Sequence, residues 1–327
     1  MSPVLNRSEQ VSLAARAIAS ARSLALACHV GPDGDALGSM MGLAHAAVAA
    51  GKAVVASFGT PFSIPGNLEF LPTVGLIPPN EFPTEPELMV VFDAGSGDRL
   101  GELESNASAA GTLVVLDHHI TNTGFGDIAV VDGAAAATAE IVADLLIELG
   151  WPITVDIATC LHTALVTDTG RFQYSATKPS TFKLAAGLVA AGADTDFIGQ
   201  EVYDKAPFGY LKVAAAALGR AQLDEEAGVV SAVVTFADLD AAGIDWGDID
   251  NLINTIRLPV EADVSLLVKV FEEDRMKLSL RSRGGTDVGR VAAELGGGGH
   301  RFAAGVTVEM DPDTAIKKVI ELVTEQR

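Results

Sequence analysis

The chain has 327 residues, with 22 Lys+Arg against 43 Asp+Glu for a formal net charge of −21. At about 150 residues per domain this length gives roughly two domains, and 49% hydrophobic against 20% charged residues excludes wholesale disorder. The surplus of acid argues against a protein that holds long nucleic acid on a broad basic surface, though not against an enzyme that meets phosphates through bound cations.

Cys28 and Cys160 lie in apolar surroundings. Two such thiols make no disulfide framework and read as buried groups of a reducing compartment. Residues 1–10 are polar, and no apolar run approaches the ~18 residues of a membrane span. A soluble, cytoplasmic protein with no membrane partner is expected.

A helix is predicted over 8–21, with Ser8 as its cap. The apolar run 24–28 reads as a strand that stops at the turn-rich stretch His29-Val-Gly-Pro-Asp33-Gly-Asp35, and a helix follows over 36–50, closed by Gly51. Strands are predicted at 53–56, at 88–92 ending in Asp93, and at 112–116 ending in Asp117-His118-His119. Helices follow over 135–149, 156–165 and 181–191, with a mostly helical stretch over 196–223. Continuous Val/Leu runs alternating with helices predict an α/β fold with a doubly wound, largely parallel sheet. The style changes near residue 225. Strands at 229–236, 264–271, 276–281 and 304–308, with helices at 249–258, 288–295 and 312–324, predict a second, smaller α+β domain. The expected division is 1–190 for the first domain, 191–225 for a helical linker and 226–327 for the second domain.

In every first-domain strand but 53–56, polar chemistry sits just past the carboxyl end, where open α/β sheets bind their ligands. His29, Asp33 and Asp35 offer one imidazole and two carboxylates within seven residues; Asp93, Asp117-His118-His119 and Asp168 add more. Read singly, Asp33, Asp35, Asp93 and Asp168 are ordinary turn carboxylates. Read together they are costly, because two like charges ~4 Å apart repel by about 4 kcal/mol at an effective dielectric of 20. A pair of divalent ions removes that cost and is the arrangement that cleaves phosphate esters. Carboxylate and imidazole donors without thiolate favour Mn²⁺, with Mg²⁺ or Co²⁺ as alternatives.

In the second domain, residues 275–301 hold six basic and two acidic side chains, a local +4 within a protein of −21. Such contrast focuses an anion. The run Gly296-Gly-Gly-Gly299-His300 lacks β-carbons, so its backbone amides can approach that anion closely.

These motifs, in this order, resemble the DHH phosphoesterase superfamily. The resemblance implies one ion on His29 and Asp33, a second on Asp35, His118 and Asp168, and Asp93 bridging the two. It further implies that a hydroxide activated between the ions attacks phosphorus, with Asp93, Asp117 and His119 as catalytic residues, Asp117 orienting the histidines and His119 steadying developing charge. The second domain resembles the smaller domain of many DHH enzymes, whose Gly-Gly-Gly-His and Ser-x-Arg-Ser motifs bind the far nucleotide and phosphate. Carried over, Arg281, Ser282, Gly297, Gly298, Gly299 and His300 form the substrate grip. Within the superfamily the likeness is greatest to enzymes that hydrolyse RNA of two to five nucleotides, pApA or cyclic di-AMP to mononucleotides and 3′-phosphoadenosine-5′-phosphate (pAp) to AMP, acting as homodimers. The basic Ser-Arg-Lys-Lys type motif of family II pyrophosphatases is not found. A nucleotide-binding sensor with a degenerate centre and a RecJ-like single-strand exonuclease are the competing readings.

Overall fold

The computed structural model describes residues 6–326, and of His300 the backbone alone. The chain divides into two compact units, Met1–Asp204 and Lys205–Arg327.

The first unit contains α1 (Arg7–Ser20), β1 (Ser23–Cys28), α2 (Gly34–Ala49), β2 (Ala53–Phe58), β3 (Met89–Phe92), α3 (Glu104–Ser108) and β4 (Leu113–Asp117). It continues with β5 (Ile128–Val131), α4 (Thr138–Leu149), α5 (Val155–Asp168), α6 (Pro179–Ala190) and α7 (Thr195–Gly199). The five strands run parallel in the order β2-β1-β3-β4-β5. Alternate strand residues serve two cores, as the period of a strand requires. Leu24, Leu26, Cys28, Val90, Phe92, Val114 and Leu116 pack with α1, α2, α4 and α5. Ala25, Ala27, Met89, Val91 and Val115 face Phe82, Leu100, Leu103 and Ala107. The sheet is therefore covered on both faces, as the apolar runs predict. Its strand order reverses between β1 and β3, and the crevice at such a reversal is the ligand site of open α/β sheets.

Helices α2 and α5 pack closely because α2 presents glycines at every fourth position. A β-carbon at Gly38 would lie 2.4 Å from the Cys160 carbonyl oxygen, and one at Gly34 would lie 2.4 Å from Thr167 Oγ1. This contact brings the amino end of α2, with Asp33 and Asp35, against the carboxyl end of α5, with Asp168.

The second unit contains α8 (Gly209–Gly219), β6 (Gln222–Asp224), β7 (Val229–Thr235), α9 (Phe236–Ala242), α10 (Leu252–Ile256) and β8 (Val264–Glu272). After these come β9 (Arg275–Ser282), α11 (Val288–Glu294), β10 (Gly298–His300), β11 (Ala303–Glu309) and α12 (Pro312–Thr324). Its mixed sheet has the order β10-β11-β9-β8-β7-β6. On one face Val264, Leu266, Val268, Leu278, Leu280, Val306 and Val308 pack with α11 and α12. On the other, Val230, Ala232, Val234 and Leu267 pack with α8, α9 and α10.

The structure departs from the predicted elements in several places. Strand β5 is absent from the prediction, since four residues at a sheet edge, of which only Val130 is fully buried, give little periodicity. Residues 222–224 form a strand where the helical stretch was expected to end. The expected helix 249–258 is broken into a 3₁₀ turn, Trp246–Ile249, and α10. Of the stretch 191–225, α7 lies in the first unit while α8 and β6 lie in the second. The glycine run is also part of a strand pair, with Gly298 opposite Gly305 and His300 opposite Ala303.

Candidate metal centre

At the end of β1 the His29 Nδ1 sits 3.0 Å from the Val30 carbonyl. A carbonyl only accepts, so Nδ1 carries the proton, and Nε2 lies 3.9 Å from Asp33 Oδ2 and 3.7 Å from Asp93 Oδ2. Asp33 divides its oxygens. Oδ1 caps α2 by accepting from the amides of Asp35 and Ala36, while Oδ2 turns to His29. Asp35, in the first turn of the helix, is fully buried and accepts from Ser39 Oγ at 3.0 Å, the Thr138 amide at 2.6 Å and the Ala139 amide at 3.1 Å.

Asp93 ends β3 with φ of 55°, a left-handed conformation that costs a non-glycine residue of order 1–3 kcal/mol and clusters at functional sites. Its Oδ2 faces His29. Its Oδ1 lies 3.5 Å from His118 Nε2, 3.6 Å from His119 Nδ1 and 2.9 Å from the Thr138 hydroxyl. His118, past the end of β4, directs Nδ1 to the Ala135 carbonyl at 3.3 Å and Nε2 to Asp35 at 3.8 Å and Asp168 at 3.3 Å. Asp117 is fully buried; its Oδ1 holds His119 Nδ1 at 2.7 Å and its Oδ2 accepts from Asn122 Nδ2 at 2.6 Å.

The donors gather into His29/Asp33/Asp93, Asp35/His118/Asp168 and Asp93/His118/His119, each with its donor atoms within 4.8 Å of one another. Asp93 belongs to two of them through its two oxygens, and His119 stands beside it with Nδ1 held by Asp117. Two further residues were invisible to sequence reasoning. Thr138 and Asn122 are single neutral polar residues whose importance shows only once the fold sets them against Asp93 and Asp117.

Electrostatics explain what this gathering needs. Burial above all, then the charges of Asp93 and Asp168, holds the Asp35 carboxyl far above the usual range. Burial pushes Asp168 up to about 7 against the pull of His118. His29 is driven up to about 9: burial opposes its charge, but the bond to Asp93 and the charge of Asp33 outweigh it. His118 reaches about 10 because Asp168, Asp93 and Asp35 outweigh its burial. Asp93 itself is buried yet held far below the carboxylate range by His29, His118 and His119. Protons on imidazoles and carboxyls thus do here what cations do better, and the donor set fits divalent ions. Thiolate is not among the donors: burial, reinforced by Asp33 and Asp93, keeps the Cys28 thiol well above its usual value, and its side chain lies in the core.

The sequence-predicted grip lies in the second unit. Arg281 is half-buried on β9, opposite Ala303 of β11, which is itself opposite His300 of β10. The His300 side chain lies outside the described residues. Ser282 is the next residue on the strand. Strand alternation turns it away from the Arg281 face, it is buried, and its hydroxyl accepts the Gly284 amide at 3.0 Å. Two of the glycines have a packing reason of their own. A β-carbon at Gly297 would meet the Gly305 carbonyl at 2.4 Å, and Gly299 has φ of 141° with the Ala303 carbonyl 2.6 Å away, whereas Gly298 faces open space.

Known proteins resemble this chain along most of its length. Residues 23–165 match the DHH family, N-terminal domain, and residues 226–326 match the DHHA1 domain. The chain is 33% identical over 305 residues to the bifunctional oligoribonuclease and PAP phosphatase NrnA of Thermus thermophilus, covering 92% of this chain and 89% of that one. To the protein of the same name in Bacillus subtilis it is 25% identical over 284 residues, covering 86% and 87%. The crystal structure of an exopolyphosphatase-related protein from Bacteroides fragilis shares the fold at a TM-score of 0.86 and 23% identity, over 100% of this chain and 98% of that one. Thermus thermophilus RecJ, solved with Mn²⁺, shares it at 0.55 and 15%, over 99% of this chain and 55% of that one. With this likeness running along nearly its whole length, the chain belongs to the DHH family, its first unit carrying the DHH domain and its second the DHHA1 domain.

Proposed function

We propose that this protein is a two-metal phosphoesterase of short nucleotides, cleaving RNA of two to five residues, pApA or cyclic di-AMP to mononucleotides and removing the 3′-phosphate of pAp. The observation that carries this reading is Asp93, whose two carboxylate oxygens face different clusters of donors. His29 and Asp33 would hold one ion, Asp35, His118 and Asp168 the other, with Asp93 between them. Oxygen and imidazole donors suit Mn²⁺, with Mg²⁺ or Co²⁺ as alternatives. Such a pair supplies Lewis acidity at phosphorus and a nucleophile at neutral pH. The chain's own groups do the rest. Asp117, pinned by Asn122, fixes the ring of His119, so that His119 meets the phosphoryl group in one orientation and donates to its oxygens as charge develops.

Support for the nucleotide substrates comes from the names of the relatives, oligoribonuclease and PAP phosphatase. Arg281 and the backbone of Gly297, Gly298, Gly299 and His300 are assigned to the far phosphate, on strands β9 and β10 that flank β11 at one edge of the second sheet. Ser282 serves them by holding the turn after β9. The reading includes a cytoplasmic homodimer; among the described residues no helix is long and apolar enough to cross a membrane.

The test is a chromatographic product panel with Mn²⁺ on pAp, pApA, cyclic di-AMP, two- to five-mer RNA, a 24-mer and pyrophosphate. The expected result is turnover of the short nucleotides, silenced by chelation and restored by Mn²⁺ better than by Zn²⁺. Turnover confined to the 24-mer or to pyrophosphate would overturn the proposal.

A further inference from the structure

Segment 135–140 carries no recognisable motif, yet it touches donors of both clusters. The Ala135 carbonyl takes His118 Nδ1. The amides of Thr138 and Ala139 donate to the two oxygens of Asp35, and the Thr138 hydroxyl donates to Asp93 Oδ1. Helix α4 lacks a side-chain cap, because Ala137 stands where Ser, Thr, Asp or Asn usually serves. Asp35 of α2 supplies that missing acceptor. The first amides of α4 are thereby committed to a candidate ligand instead of to their own helix.

The segment is itself anchored. Glu140 is buried, and its carboxylate accepts the Thr181 hydroxyl at 2.5 Å and the Ala136 amide at 3.4 Å. Thr138 is fully buried between these anchors and the site. Its hydroxyl sits on the one oxygen of Asp93 that faces His118, leaving the other oxygen turned to His29.

We infer that Thr138 is the positioning residue of the metal pair: its hydroxyl sets the rotation of the Asp93 carboxylate while its amide holds Asp35, so the two ion sites are coupled through one side chain and its backbone. A carboxylate without that donor rotates about its last bond and bridges less well. Groups that orient ligands in this way are typically worth 10–100-fold in metal affinity. Coupling also makes uptake of the two ions cooperative, because ordering Asp93 and Asp35 for one ion orders them for the other. The inference rests on the two-metal reading above but not on any substrate.

The test is calorimetric titration of chelated protein with Mn²⁺ for the wild type and for Thr138→Val, Thr138→Ala and Thr138→Ser, alongside melting of the metal-free forms. Valine keeps the shape and removes the donor; serine keeps the donor. The expected result is 10–100-fold weaker and less steep uptake for the valine and alanine variants, near-wild-type uptake for serine, and small changes in metal-free melting. Either of the first two variants suffices if the other fails to fold. Valine or alanine titrating like wild type, or serine as weak as valine, would overturn the assignment. A wild type that takes up fewer than two ions would instead bring down the two-metal reading itself.

Discussion

In the first unit each candidate ligand stands at the end of an element: His29 after β1, Asp93 after β3, His118 after β4, Asp168 at the end of α5, and Asp33 and Asp35 at the start of α2. In the second unit the residues singled out for phosphate are hydrogen-bonded within the sheet itself: Arg281 and Ser282 are the last two residues of β9, Gly298, Gly299 and His300 make up β10, and Gly297 precedes it. Parallel topology gathers strand ends onto one rim, so a polar residue at an end is aimed at the site by the fold. A residue within a strand has only an even chance of facing a ligand, since its neighbour faces the core. Arg281 and Ser282 divide in just this way. Glycines within a strand pair are ambiguous for a further reason, because close backbone approach demands them whether or not an anion is bound.

The sharpest way to break this comparison is at Arg281. Its replacement by Ala should leave metal content intact and lower kcat/KM on pAp and dinucleotides by the ~1.5–3 kcal/mol of a charge-assisted hydrogen bond, about 10- to 150-fold. A chromogenic phosphodiester with no second phosphate should change little. Equal losses on both substrates would mean that Arg281 supports the fold or the chemistry, and the division of labour between the units would fail.

Glycine replacements sharpen it next. Gly38→Ala in α2 sets a β-carbon against the Cys160 carbonyl and should cost about 1–3 kcal/mol in urea unfolding. Gly187→Ala, within α6 and facing open space, should gain about 0.5–1 kcal/mol. A neutral Gly38→Ala would show that the α2–α5 contact is not what aligns Asp33 and Asp35 with Asp168. In the second unit Gly297→Ala should destabilise by a similar 1–3 kcal/mol through its clash with the Gly305 carbonyl, while Gly298→Ala should leave the melting temperature unmoved. Equal destabilisation by both would mean that the whole run is structural.

The smallest expected effect lies away from either site, at Asp238. Burial alone would raise its carboxyl, but Arg220 and the amide and hydroxyl of Thr235 outweigh this and hold it below its usual value. A depressed folded-state value stabilises above the unfolded value near 3.9 and is lost as pH falls through the folded one. Because Arg220 is open to solvent, Asp238→Asn should cost only ~0.5 kcal/mol at pH 7 after solvent screening, and less at pH 3. An identical gap in urea midpoint at both pH values would rule out the carboxylate charge as its source.

Much of the first unit was legible because its strands are unbroken runs of Val and Leu, and because charged residues follow them directly. The supporting shell was not. Thr138, Asn122 and Glu140 act through hydrogen bonds that depend on where α4 and the loop after β4 fall in space, and nothing local marks them. Strand β5 escaped because Ile128–Val131 is short and half-covered, and β10 because glycine carries no strand signal. A sequence motif also does not say which of two adjacent strand residues, Arg281 or Ser282, faces outward.

The shared carboxylate is tested most directly by counting ions. Elemental analysis of wild type and Asp93→Asn after equilibration with Mn²⁺, read beside turnover of pAp, isolates the charge, since Asn tolerates the left-handed backbone of residue 93. Two ions per chain in the wild type, with at most one and no turnover in the variant, is the expected result. Two ions and substantial turnover in Asp93→Asn would contradict the bridging role on which the two-metal centre depends.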